Sequence, residues 1–120
     1  MGIEIFASSE KVILWDYINI PKNHEEYYIG RIRDYFDLAK EIYKSFDSEK
    51  EKIKDERIKQ FKYITELSNT IFNREQVKQL REEIKILEKS DFDKEMLEVI
   101  KKGISKVLER DNLYLKFEYD

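Results

Sequence analysis

The chain has 120 residues, of which 41% are apolar and 41% charged, and 26 acidic against 23 basic side chains give a formal charge of −3. That length suits a single domain over residues 1–120, and enough Ile, Leu, Phe and Tyr are present to keep the chain out of the disordered class. Such a charge lacks the concentrated positive character that binds nucleic acid or anionic lipid, and the absence of cysteine excludes disulfides, thiolate zinc sites and thiol nucleophiles.

From the start of the chain, Ile3 to Ala7 is short, apolar and closed by Ser8-Ser9, which predicts an opening strand. Lys11 to Ile18 is apolar and β-branched enough to predict a second strand, with a helix as the alternative. Within it, Val12-Ile13-Leu14-Trp15 is the longest purely apolar run, far short of the roughly 20 residues that span a bilayer. No basic, apolar leader opens the sequence, so the expected location is the cytoplasm, with no membrane partner.

After Pro21, apolar residues at Tyr28, Ile32, Tyr35, Ala39, Ile42 and Phe46 fall four or three apart and predict a helix of about six turns. Ser48 and Glu51 have capping-box spacing, since a hydroxyl and a carboxylate three residues on can satisfy the open amides of a helix start. They open a second predicted helix whose buried side is Ile58, Phe61, Ile64, Leu67 and Ile71. Asn73 followed by Gln76 predicts the start of a third helix, carrying Val77, Leu80, Ile84 and Leu87. Ser90 and Asp93 signal a fourth, carrying Leu97, Ile100, Ile104 and Val107. Asp111-Asn112 is turn chemistry, and Leu113, Leu115, Phe117 and Tyr119 then alternate with polar neighbours as a half-buried strand does.

An isolated strand cannot satisfy its own backbone, so the C-terminal strand is expected to pair with the N-terminal one or two. The predicted fold is α+β: about four helices packed on a small antiparallel sheet formed by the N-terminal strand or strands and the C-terminal strand.

Catalytic parts are scarce. His24 beside Glu25 and Glu26 could act as a base, but no second His or any Cys completes an ordinary transition-metal site, and a surface role is the plainer one. No Gly-rich phosphate loop, nucleophile elbow or zinc signature occurs, so neither enzymatic activity nor a cofactor is expected. Asp91 with Asp93, and Glu82 with Glu83, are carboxylate pairs that read more simply as capping or solvated groups. The lysines and arginine between Lys50 and Lys62 are interleaved with Glu49, Glu51, Asp55 and Glu56, which cancels a nucleic-acid patch.

What remains suits protein recognition. Tyr17, Tyr27 and Tyr28 lie close to Asp16, Glu25 and Glu26, and rigid amphipathic tyrosines beside carboxylates suit a basic partner; the plainer alternative places Tyr28 in the core stripe with the others partly covering it. On the predicted first helix, Asp34, Asp37 and Glu41 fall opposite the apolar stripe and are expected to be exposed, either as solvated groups or as an acidic row against a basic partner. Asp16, Tyr17, Glu25, Glu26, Tyr27, Asp34, Asp37 and Glu41 are therefore the candidate partner-binding residues.

Two segments carry a resemblance: the helix from Phe72 through Asn73-Arg74-Glu75-Gln76-Val77 to Ile84, and the ending Leu113-Tyr114-Leu115-Lys116-Phe117-Glu118-Tyr119-Asp120. With a Leu-x-x-Glu-Ile-x-x-Leu helix at Leu80 to Leu87, then another helix and a closing strand, the chain resembles small bacterial immunity proteins encoded beside polymorphic or contact-dependent toxins. Tyr119 stands where that family's ending has Gly. The resemblance implies a non-enzymatic inhibitor that neutralises a cognate toxin by direct binding, and the acidity of the chain adds the expectation that this toxin is a basic nuclease domain. The alternative from a different class is an interaction or regulatory module, including a phage-encoded inhibitor of a host defence protein.

Overall fold

The protein's structure is a computed structural model that describes residues 2–9, 25–33, 35–46, 56–65 and 69–119. In chain order these form β1 (Gly2–Ser8), β2 (Glu26–Arg33), α1 (Tyr35–Phe46), a 3-10 turn (Glu56–Ile58) leading into α2 (Lys59–Ile64), β3 (Thr70–Phe72), α3 (Arg74–Glu88), α4 (Lys94–Leu108) and β4 (Tyr114–Tyr119). The class is α+β, with an antiparallel sheet in the order β2-β1-β4-β3. The predicted strand or helix at Lys11–Ile18 and the Ser48/Glu51 capping box lie outside the described residues.

The two ends of the chain meet at the centre of the sheet. Ile3, Ile5 and Ala7 alternate along β1 and are fully buried, and the antiparallel register sets Ile5 against Phe117 and Ala7 against Leu115. Burial of this apolar row against α3 and α4 supplies the drive for pairing strands so distant in sequence. At its end β4 is tied to its surroundings, since the Tyr119 hydroxyl donates to the Ile64 carbonyl at 3.0 Å and the Tyr119 amide to Asn69 Oδ1 at 3.1 Å.

β4 is not half-buried as its alternation predicts. Lys116 and Glu118, on the side away from Leu115 and Phe117, are only 4% and 5% exposed. Lys116 Nζ lies 2.7 Å from Glu26 Oε1 and 2.8 Å from Glu118 Oε1, and 5.1 Å from the centre of the Phe6 ring. Burial pulls the ammonium pKa down, but the hydrogen bonds to Glu118 and Glu26 outweigh it and hold Lys116 above its ordinary value.

The long helix predicted from Tyr28 to Phe46 does not exist in its first part. Glu26–Arg33 is β2, paired along its length with β1, and the helix begins only at Tyr35. A spacing of four, as between Tyr28 and Ile32, is compatible with one helical turn and equally with one face of a strand, so the pattern alone does not choose. Pairing chooses, because β1 has an edge beside Ile3 and Ile5 that β2 satisfies. The register shifts between Ile5, opposite Gly30, and Phe6, opposite Tyr28, which leaves Ile29 as the extra residue of a β-bulge. A side chain at Gly30 would place its Cβ 2.9 Å from Val99 Cγ1, so the absence of one lets α4 lie close against the strand.

Among the described side chains of α1, Leu38 and Ile42 are in the core and Ala39 is only partly covered. Ile71 also leaves its predicted place at the end of the second helix and sits in β3, opposite Lys116. Here α2 is only one short helix of six residues. Two amides of its first turn are held from outside: Gln60 N and Phe61 N donate to the Glu83 carboxylate of α3 at 3.0 and 2.8 Å.

The two long helices follow their sequence signals. Asn73 accepts from Gln76 N while the Gln76 side chain accepts from Asn73 N, a complete capping box, and Asp93 accepts from the amides of Glu95 and Met96. Val77, Leu80, Ile84 and Leu87 of α3 and Leu97, Ile100, Ile104 and Val107 of α4 are buried, joining one core with the strands. At the far end of α4 the Arg74 guanidinium donates to the carbonyls of Val107, Leu108 and Arg110, closing groups that a helix C-terminus leaves open. Edge-to-face ring pairs, Phe61 with Phe92 and Phe72 with Phe117, fill the core between these elements.

Candidate recognition surface

The candidate partner-binding residues divide into three groups. Asp16, Tyr17 and Asp34, together with His24, lie outside the described residues. Glu25 and Tyr27, at the start of β2, are brought together with the end of α4. The Glu25 carboxylate pairs with Arg110, and both Arg110 and Glu25 hydrogen-bond the Tyr27 hydroxyl at 2.8 Å. Lys106 Nζ stands 4.3 Å from the Tyr27 ring centre, a cation over an aromatic face. The Arg110 hydrogen bond, followed by that of Tyr27, holds the Glu25 pKa below the carboxylate range, and Glu25 in turn raises that of Arg110.

Two of the remaining acids are also engaged by cations of the protein itself. Glu26 pairs with Lys116 on the opposite side of the sheet from Tyr27. Glu41, expected to stand exposed, has a side chain only 16% exposed: it lies 3.6 Å from Arg33 and accepts the amide of Asp93 at 3.1 Å. The cause is the shortened helix, which brings this side of α1 up to the end of β2 and the cap of α4. Asp37 is half-buried in the first turn of α1.

The sequence pattern places Tyr28 in a core stripe; it is instead 59% exposed. As a strand residue opposite Phe6 it turns away from the helices, and its ring meets Phe6 edge-on with centroids 5.5 Å apart. Beside it, a groove of about 470 Å³ separates the edge strand β2 from α4. Tyr28 and Ile29 form one wall, and the other is a single stripe of α4 running from Glu98 through Lys101, Lys102, Ser105 and Lys106 to Glu109. Ion pairs run along that wall, Lys101 with Glu98 at 3.4 Å and with Glu88 at 3.2 Å, and Lys106 with Glu109 at 3.6 Å.

Sequence reasoning offered Tyr28 either as a recognition tyrosine or, more plainly, as a core residue, and it assigned no site role to Arg110, Lys102 or Lys116. The one local signal was Gly30 inside a run of Tyr and Ile, which is the usual mark of a bulge or a close backbone approach in a strand. Among the described residues no cluster of three or more His, Asp or Glu side chains is placed to hold a metal ion. No helix among them is long and apolar enough to cross a membrane. No protein family, curated protein or solved structure matches the chain.

Proposed function

We propose that this protein acts by binding another protein, and that the bound protein is a bacterial toxin domain which it neutralises by direct contact. The toxin comes from the resemblance carried by Phe72–Ile84 and Leu113–Asp120 to immunity proteins. The single observation that supports a binding role is Tyr28. A large aromatic ring 59% exposed on a paired strand, steadied by Phe6 and standing at a groove rimmed by charges, has the composition of an interface centre with a polar rim. Because Phe6 already restrains the ring, little side-chain freedom is left to lose on binding.

Co-expression with the toxin encoded beside it tests the reading. The expected result is restored growth of the toxin-expressing cell and a complex of the two proteins that survives size-exclusion chromatography. A toxin that kills equally well in the presence of this protein, with no complex recovered, refutes it.

A further inference from the structure

The groove between β2 and α4 also indicates the charge of what enters it, on the premise that the protein works by binding another protein. Its helical wall carries three cations, Lys101, Lys102 and Lys106, against two acids, Glu98 and Glu109. Both acids are engaged with lysines of the same wall, Glu98 with Lys101 and Glu109 with Lys106. Among the described residues Lys102 alone of these lining charges forms no ion pair, and it is exposed near the middle of the stripe. From Glu98 to Glu109 the wall rises by about 16 Å at ~1.5 Å per residue, the span of a short peptide segment.

Three of the acids expected to receive a basic partner are committed elsewhere: Glu25 to Arg110, Glu26 to Lys116, and Glu41 to Arg33 and the Asp93 amide. A partner cation entering the groove would face Lys102 and would have to draw Glu98 or Glu109 away from its lysine. A partner carboxylate can pair with Lys102 without breaking either of these ion pairs.

We infer that the groove receives an acidic segment of the partner protein, with an Asp or Glu carboxylate set against Lys102 and a neighbouring apolar side chain laid against the ring of Tyr28. The recognition charge is then opposite to the one the acidic composition suggests. Lys102 steers the encounter and Tyr28 holds the complex, because a rim charge acts mainly on association and a buried aromatic anchor on dissociation.

The test is surface plasmon resonance with the purified toxin domain encoded beside this protein, at two salt concentrations, using Tyr28→Ala, Lys102→Glu and Lys102→Arg. Both altered positions are exposed, so circular dichroism and melting temperature should match the unaltered protein. Tyr28→Ala should weaken binding by roughly 30-fold, mostly through faster dissociation. Lys102→Glu should slow association by about tenfold at low salt and by less at high salt, and Lys102→Arg should leave it intact. A complex that forms with unaltered kinetics for Tyr28→Ala and Lys102→Glu overturns the groove assignment and leaves the protein-binding role standing. Tighter binding by Lys102→Glu overturns it in favour of a basic segment. Failure of the unaltered protein to bind removes both readings together.

Discussion

Glu83 offers the sharpest test of how α2 is held. Its side chain comes from α3, is 3% exposed, and accepts the amides of Gln60 and Phe61 with its two oxygens. Replacement by Ala leaves both amides without that acceptor, and each buried unsatisfied group costs about 1–3 kcal/mol. Relief of the buried charge offsets part of this loss, so a net destabilisation of about 2–4 kcal/mol is expected for Glu83→Ala. Glu83→Gln keeps one carbonyl oxygen and turns an NH2 toward the other amide, for a smaller cost of about 1–2 kcal/mol.

The pH dependence fixes the sign independently. Burial raises the Glu83 pKa above 4.5, and the two amide hydrogen bonds and the charge of Lys62 only partly oppose it. Between 4.5 and the raised value the folded protein therefore binds more protons at this site than the unfolded chain does. Stability from this group is greatest at the acid end of that window and is lost as pH rises through the folded pKa. The penalty of Glu83→Gln, measured by urea unfolding of both proteins in matched buffers, should thus grow as pH falls from neutral to 4.5. A penalty that shrinks on acidification would show the amides outweighing desolvation and would refute the reasoning.

Gly103 lies under the sheet, where an added Cβ would come 2.7 Å from Leu115 Cδ1 and 3.4 Å from Ile5 Cγ2. Gly103→Val should therefore lower stability by about 1–3 kcal/mol in chemical denaturation, and an unchanged midpoint would mean that α4 can ride up off the sheet freely. Lys116→Met strands the buried Glu118 without its cation and should cost about 3–5 kcal/mol, whereas Lys116→Met with Glu118→Leu should recover most of that loss; equal melting points for the single and double variants would refute the coupling. Leu80→Ala, in the buried stripe of α3, should cost about 2–5 kcal/mol by the same assay, and a loss under about 0.5 kcal/mol would place it outside the core.

The parts of the fold that were legible in the sequence are those whose signals are local. The Asn73/Gln76 box and the Asp93 cap lie within four residues of what they stabilise, and the stripes of α3 and α4 repeat often enough for the helical period to stand out. β1 and β4 were legible because short alternating runs at the two ends of a chain need partners. β2 was not, since the spacing of Tyr28 and Ile32 fits a helical turn, the bulge at Ile29 sets the two on opposite faces of the strand, and the deciding contact, the edge of β1, is supplied by residues far away. The same distance hid the ion pairs: nothing near Glu25 in sequence announces Arg110, and nothing near Lys116 announces Glu26.

That error governed the reading of the candidate site. Extending α1 back to Tyr28 placed its ring in the core and put Asp37 and Glu41 on an open acidic face; ending β2 at Arg33 reverses the first and, for Glu41, the second. Both walls of the groove were present in the sequence as separate patterns. Glu98, Lys101, Lys102, Ser105, Lys106 and Glu109 recur at the spacing of one helical stripe, and Gly30 marks a bulge once Glu26–Arg33 is known to be a strand. Neither pattern says that the two lie side by side. That follows only from Gly30 admitting Val99 and Gly103 admitting Leu115, two missing side chains that bring α4 down onto the sheet with its charged stripe beside β2. A surface made by the close approach of two elements is therefore encoded at the residues that permit the approach, and those are glycines behind it rather than the charges and rings that line it.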